Sequence, residues 1–325
     1  MLRIHFGDAD LSQVRIAGGP DPMWEILLSL HAWGTPRMQA AYGWWWNGVR
    51  RRGHVPSPLL RGLAPPTGYS ADFLTPMYGT GDLTDGITAV LRTPRKRLRN
   101  DLDLLASQYR LPTSAVRLST ADPAALQDLG GALAVHHRAA LAPYWGEVRA
   151  GVQRDRLDRG RVLLESGVDG LLDTLHPTVR WRRPVLQVHY PDERDLRLDG
   201  RGLVLQPSVF CWRMPITLLE SPGQPVLVYP IGTGAQAFTP GHRAVTTGAL
   251  TRLLGRTRAA TLEATEHGAT TGELAVRLGI AASTASEHVT VLRKAGLVAS
   301  RPDGAGVRHA LTDLGRRLLN ASVPV

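Results

Sequence analysis

Cysteine is almost missing from this chain of 325 residues: Cys211 is the only one. That excludes an intramolecular disulfide and any zinc site built on paired thiolates, and it fits a reducing compartment. Lysine is nearly as scarce, with only Lys96 and Lys294 among the 38 basic residues. An arginine-rich chain that also carries 34 Gly and 23 Pro reads as the coding bias of a GC-rich genome, so the net charge of +10 says less about partners than its size implies. No apolar run approaches the ~18 residues of a membrane span. The amino terminus, with Arg3, His5, Asp8 and Asp10, lacks a signal-peptide pattern. The expected location is cytoplasmic, away from membranes.

Catalytic constellations are also lacking. There is no G-x-S-x-G, no H-E-x-x-H and no P-loop. Asp8 with Asp10, and Asp101 with Asp103, sit two apart and would share a face only on strands, which neither context favours. His136 and His137 are adjacent, so on a helix they diverge by about 100° and cannot easily hold one ion. No enzymatic activity, cofactor or metal is expected, and both histidines read as ordinary residues. Cys211, between Phe210 and Trp212, reads as a small buried hydrophobe.

What is present concentrates near the end, from Thr270 to Leu311. Thr270-Thr271-Gly272-Glu273 has the spacing of a capping box, which predicts a helix start. Leu274 and Leu278 then share a face, and Gly279 stands where a tight turn needs positive φ. Ser283 to Ala295 is helical again, with Ala285, Val289 and Leu292 forming an inward stripe. Ser283, Ser286, Glu287, Thr290 and Lys294 form the outward one. Short hydroxyl side chains let a helix sink into the major groove, where a merely soluble helix carries long charges. Ala281 and Ala282 are poor caps, so Ser283 has capping as a competing role. After Gly296, the runs Leu297 to Arg301 and Val307 to Leu311 flank Pro302-Asp303-Gly304-Ala305-Gly306, which predicts a hairpin.

Helix, glycine turn, second helix and hairpin, with Ser286-Glu287-His288-Val289 and then Val291 to Val298, resemble the winged helix-turn-helix of the ArsR family of bacterial transcription regulators. The large actinobacterial members with a long preceding domain are similar in layout. The resemblance implies DNA binding, a homodimer and repression. It does not bring metal sensing with it. The first helix reads Glu273-Leu274-Ala275-Val276-Arg277 without a thiol, and Asp313 to Ser322 has no histidine. The position similar to His288 lies beside the core in that family, and spacing from Ala285 and Leu292 allows the same here.

Upstream, Asp21-Pro22 introduces a helix from Met23 to His31. Arg37 to Arg52 predicts another, carrying Trp44-Trp45-Trp46. Three adjacent tryptophans cannot all face one core. They read either as knitting between neighbouring elements or as the wall of a pocket or subunit contact. Helices are expected near 82–92, 94–108 and 122–142, followed by a stretch to about 175 that Gly151, Gly160 and Gly167 could break. The basic cluster Arg92, Arg95, Lys96, Arg97 and Arg99, followed by Asp101 and Asp103, reads as a solvated face, with auxiliary phosphate contact as the alternative. Leu2 to Phe6 predicts an edge strand. Val185–Tyr190, Arg194–Leu198, Leu203–Gln206, Val209–Trp212 and Val226–Tyr229 predict a small antiparallel sheet. Gly232 to Ala235 reads as a loop. Pro240-Gly241-His242 marks a boundary, with helices from Val245 to Leu254 and from Arg256 to Thr265 beyond it.

The expectation is an α+β protein: a largely helical domain over 1–243 with a small antiparallel sheet, then a winged helix-turn-helix over 244–325. Residues 246–325 hold ten Arg or Lys against six Asp or Glu, so +4 of the +10 falls on a quarter of the chain. The expected partner is double-stranded DNA with a palindromic operator. Ser283, Thr284, Ser286, Glu287 and Thr290 are candidates for positioning and base contact, and Arg293, Lys294, Arg301 and Arg308 for phosphates. A small organic effector or a protein is expected at the upstream domain. The rival reading is an enzyme or ligand-binding protein whose first domain carries the activity, with an appended nucleic-acid module.

Overall fold

The computed structural model describes residues 1–76, 81–218, 223–231, 251–265, 268–303 and 306–320. The chain divides into two compact units, Met1–Phe238 and Thr239–Val325. The expected loop at Gly232–Ala235, the expected boundary at Pro240–His242 and most of the helix expected from Val245 lie outside the described residues.

The elements of the first unit, in chain order, are β1 (Leu2–His5), α1 (Asp8–Leu11), β2 (Arg15–Ile16), α2 (Pro22–Gly34), α3 (Pro36–Ala41), α4 (Gly43–Arg51), α5 (Pro58–Leu63), α6 (Leu83–Leu91), α7 (Arg95–Gln108), α8 (Thr113–Leu118), α9 (Pro123–His136) and α10 (Trp145–Asp173). Strands β3 (Val179–Arg182), β4 (Val185–Val188), β5 (Arg194–Arg197), β6 (Val204–Ser208), β7 (Ile216–Thr217) and β8 (Val226–Pro230) follow. A π-helical turn, His137–Leu141, and a short 3-10 turn, Ala142–Tyr144, join α9 to α10.

The sheet expectation needs correcting. There are two four-stranded sheets, ordered β3-β4-β1-β5 and β2-β6-β8-β7, and both are mixed rather than antiparallel. β1 is an interior strand, antiparallel to β4 and parallel to β5, so Leu2–Phe6 is no edge. β2 and β6, and β6 and β8, run parallel. Parallel pairing requires long crossovers, and here the helices between residues 17 and 178 supply the longest of them. Val209–Trp212 is not a strand. The chain turns there because the buried carboxylate of Glu25, on α2, accepts the amides of Val209 and Phe210 and the Ser208 hydroxyl. No local sequence signal points to a carboxylate more than 180 residues away.

Other elements follow their sequence more closely. Asp21 caps α2 through the amides of Met23 and Trp24, with Pro22 at the first helical position. The segment Arg37–Arg52 is two helices rather than one, parted at Tyr42, whose hydroxyl donates to the Val209 carbonyl. Trp45 is fully buried and donates its indole N–H to the Ala140 carbonyl at 2.7 Å, while Trp46 lies against Trp33. Those two tryptophans therefore knit α4 to its neighbours. α10 runs uninterrupted through Gly151 and Gly160, and only Gly167, at φ 65°, leaves the helical region. Asp101 does not belong to a solvated face: it is buried and accepts the Phe73 amide. Cys211 is buried, as its surroundings predicted.

His136, expected to be an ordinary residue, partly buried or exposed, is fully buried. Its ring joins the Ser29 hydroxyl at 2.9 Å and His54 at 3.0 Å. Burial pushes its pKa down to about 3. Glu25 and Asp21 are displaced the other way, up to about 7 and about 6, again chiefly by desolvation. The signs fix the pH response. The histidine stays neutral in the fold but binds a proton when unfolded, so its share of stability is present above ~6.5 and is lost as pH falls towards 3. Glu25 acts in the opposite sense, its share being lost as pH rises from about 4.5 through 7. Below about pH 3.8 neither Glu25 nor Asp21 opposes the histidine. The melting temperature of the first unit should therefore fall steeply with acid there, and a His136→Gln variant should show a shallower acid slope in a pH series of thermal melts. An unchanged slope would remove His136 as the cause.

The second unit is built from α11 (Arg256–Ala264), β9 (Ala269–Thr270), α12 (Thr271–Leu278), α13 (Ala282–Lys294), β10 (Val298–Asp303), β11 (Gly306–Leu311) and α14 (Asp313–Asn320). Its core is small: Leu262, Leu274, Ala285, Val289, Leu292, Leu297, Val298 and Leu311 carry most of it.

Candidate nucleic-acid interface

Thr270 starts α12 by accepting the Glu273 amide, and the Glu273 carboxylate accepts the Thr270 amide at 2.8 Å. This is the capping box its sequence announces. Gly279 ends α12 in the left-handed conformation at φ 64°, the geometry for which a residue without Cβ is suited. α13 then starts one residue earlier than expected, at Ala282, with Ala281 as an N-cap that makes no side-chain bond. Ser283 therefore does not cap the helix, contrary to the competing role its neighbours suggested. It lies inside the first turn with its hydroxyl exposed.

The two faces of α13 separate as their spacing predicted. Ala285, Val289 and Leu292 are buried with Leu274 of α12, Leu262 of α11 and Leu297, which precedes β10. Ser283, Ser286, Glu287, Arg293 and Lys294 are exposed, and Thr284, His288 and Thr290 are half-buried beside them. Val291 also emerges here, 42 % exposed. An exposed branched apolar group among hydroxyls can meet a thymine methyl, a role the sequence reading passes over.

β10 and β11 pair antiparallel from Val298↔Leu311 to Asp303↔Gly306, so Pro302, Asp303 and Gly306, expected in the turn, belong to the strands. Register puts Arg301 directly opposite Arg308. Like charges directly across an antiparallel pair destabilise it by roughly 0.2–1 kcal/mol, so this pairing favours an anionic partner. Arg308 is partly compensated by Glu273, 3.8 Å away, and both side chains are about half exposed. It is therefore not wholly free for phosphate, as its placement in the sequence implied. Arg301 is exposed and makes no ion pair or hydrogen bond among the described residues.

One residue of this unit escaped the sequence reading. His309 is 6 % exposed, and its ring bridges Ser300 of β10 at 2.8 Å and Thr271 of α12 at 3.0 Å. Desolvation and the nearby Arg293 guanidinium lower its pKa. The alternation of strand side chains could have placed His309 inward, but nothing in its neighbours names Thr271 as a partner.

A short helix, a left-handed glycine turn and a second helix with a buried stripe and a polar outer face define a helix-turn-helix unit, here followed by a basic hairpin. A family model described as a helix-turn-helix domain matches residues 252–301, and the chain carries a helix-turn-helix DNA-binding module there. No curated protein and no solved structure matches the chain. Among the described residues, no helix is long and apolar enough to cross a membrane.

Proposed function

We propose that the protein is a sequence-specific transcription regulator, a homodimeric repressor of the ArsR kind, that inserts α13 into the major groove of a palindromic site. The observation that carries this reading is the outer face of α13. Its exposed residues begin with the short hydroxyls of Ser283 and Ser286 and end on the basic Arg293 and Lys294, where the opposite side is a closed apolar stripe, and a like-charged arginine pair stands on the adjoining hairpin. Ser283, Thr284, Ser286, Glu287 and Thr290 position the helix and read bases, while Arg293, Lys294, Arg301 and Arg308 attract phosphate. A dimer would set two such helices ~34 Å apart, one DNA turn. The first unit takes the effector, a small organic molecule or a protein. An open cleft of about 400 Å³, lined by Met1, Pro177, Thr178, Arg180, Gln187 and His189, is the first place to seek it. An enzyme with an appended DNA reader is the rival. It has in its favour only the size of the first unit.

Mapping bound fragments across a genome tests the proposal, and the absence of any enriched sequence would overturn it. Within the enriched sites, Arg301→Ala should weaken binding to all sequences alike, by roughly two- to tenfold, and flatten the salt dependence, because it touches only phosphate. Glu287→Ala should instead change which bases are preferred, since a carboxylate accepts from cytosine. Equal losses on every sequence from both variants would show the roles to be wrongly divided.

A further inference from the structure

Three large apolar side chains of α10 are exposed, Leu163 at 37 % and, more fully, the two that share one line of the helix. Leu157 is 57 % exposed and Leu164 88 % exposed. They stand seven residues apart, so they lie in line along one side of the helix. Gly160 sits between them, and a Cβ built on it meets nothing within 4 Å, so the middle of this seam is open to close approach. Four charged side chains flank the seam: Arg154, Asp158, Arg161 and Glu165. At 100° per residue all four fall on the same side of the leucine line. All four are exposed, and none makes a hydrogen bond or ion pair among the described residues. The inner face behaves differently, for there Asp155 and Arg159 pair at 3.5 Å.

The order of the four charges is plus, minus, plus, minus. Turn a second α10 antiparallel about a two-fold axis at Gly160 and each chain presents the same flank to the other. Arg154 then faces Glu165 of the second copy, and Asp158 faces Arg161. Leu157 faces Leu164. The charge match and the leucine match use the same axis, within one residue. A parallel pair would bring this flank against the opposite one, which carries Arg149 and Arg156 but no carboxylate to answer Arg154 and Arg161. We infer that α10 is the homodimer contact of the protein, two copies packing antiparallel across Gly160. The inference rests on the dimeric reading given above and specifies where that dimer is made. The seam lies wholly within the first unit and spans about two heptads, so the dimer should be micromolar rather than nanomolar, tightened when two modules share one operator.

Sedimentation of the full-length chain over a concentration series tests this. The wild type should associate to a dimer, Leu157→Glu or Leu164→Glu should each raise the dissociation constant at least about tenfold, and the double variant should be monomeric. Because both leucines are exposed, these changes should leave unmoved the thermal melt of the monomer, read at concentrations below the dissociation constant of the dimer. Asp158→Arg alone, or Arg161→Asp alone, should weaken the dimer about five- to tenfold. Combining them in one chain should restore it. Gly160→Cys should give a chain-to-chain disulfide under mild oxidant, since Cys211 is buried. A wild type that stays monomeric would overturn both the interface and the dimeric reading. A wild-type dimer untouched by the leucine variants would overturn the interface alone. Single charge reversals that weaken the dimer without rescue in combination would overturn the antiparallel arrangement.

Discussion

Replacing Ser283 and Ser286 together by glutamate should cut affinity for the operator by at least about 100-fold, ~3 kcal/mol, while leaving the second unit as stable as before. The two effects separate because of where the residues stand. Ser283 and Ser286 are exposed on the outer face of α13, close to its uncapped start. A carboxylate at position 283, in the first turn, interacts well with its unsatisfied N–H groups, by ~0.3–1 kcal/mol at low salt, and one at position 286 stands on exposed surface. Against DNA the same carboxylates meet phosphate and the acceptor-rich edge of guanine, and each costs binding. Fluorescence anisotropy with an operator duplex reads the loss, and a thermal melt reads the stability. Retained affinity in a folded variant would remove α13 from the groove.

Leu292→Ala should destabilise the second unit by about 3 kcal/mol, within the ~2–5 kcal/mol span of buried leucine truncations. Leu292 is 1 % exposed and belongs, among the described residues, to a core cluster of eleven buried residues, so little of that structure can close the cavity. For a module of this size that corresponds to a melting shift of roughly 12–24 °C. Calorimetry on the full chain should show the transition of the second unit displaced and that of the first unit in place. A loss under ~1 kcal/mol would mean that the core repacks, and that the buried stripe of α13 is looser than its burial indicates.

The difference between these two units also explains what could be read from sequence. In the second unit nearly every determinant is local. Thr270 and Glu273 cap one another three residues apart, Gly279 supplies its own turn, and Ala285, Val289 and Leu292 recur at helical spacing. The matched family model covers the same residues, 252–301. In the first unit the determinants are distant. Glu25 decides the turn at Ser208–Phe210, Asp10 accepts the amide of Gly202, and β1 finds its partners more than 180 residues away. Helices there remained legible because their periodicity is local, whereas pairing order and strand direction were not. Where a local signal misled, tertiary contact overrode it: Asp101 resembled part of a charged face and is instead bonded to Phe73.

The bridge formed by His309 has a consequence for how the module meets a duplex. Its ring nitrogens touch hydroxyls on both sides, Ser300 within the hairpin and Thr271 at the head of α12. A hydroxyl can donate or accept, so either neutral tautomer of the ring keeps both bonds. The hairpin that carries Arg301 is thereby pinned to the head of α12, the helix whose far end, at Gly279, turns into α13. Two surfaces meant for one ligand move as one body, and little freedom is left to surrender when DNA arrives.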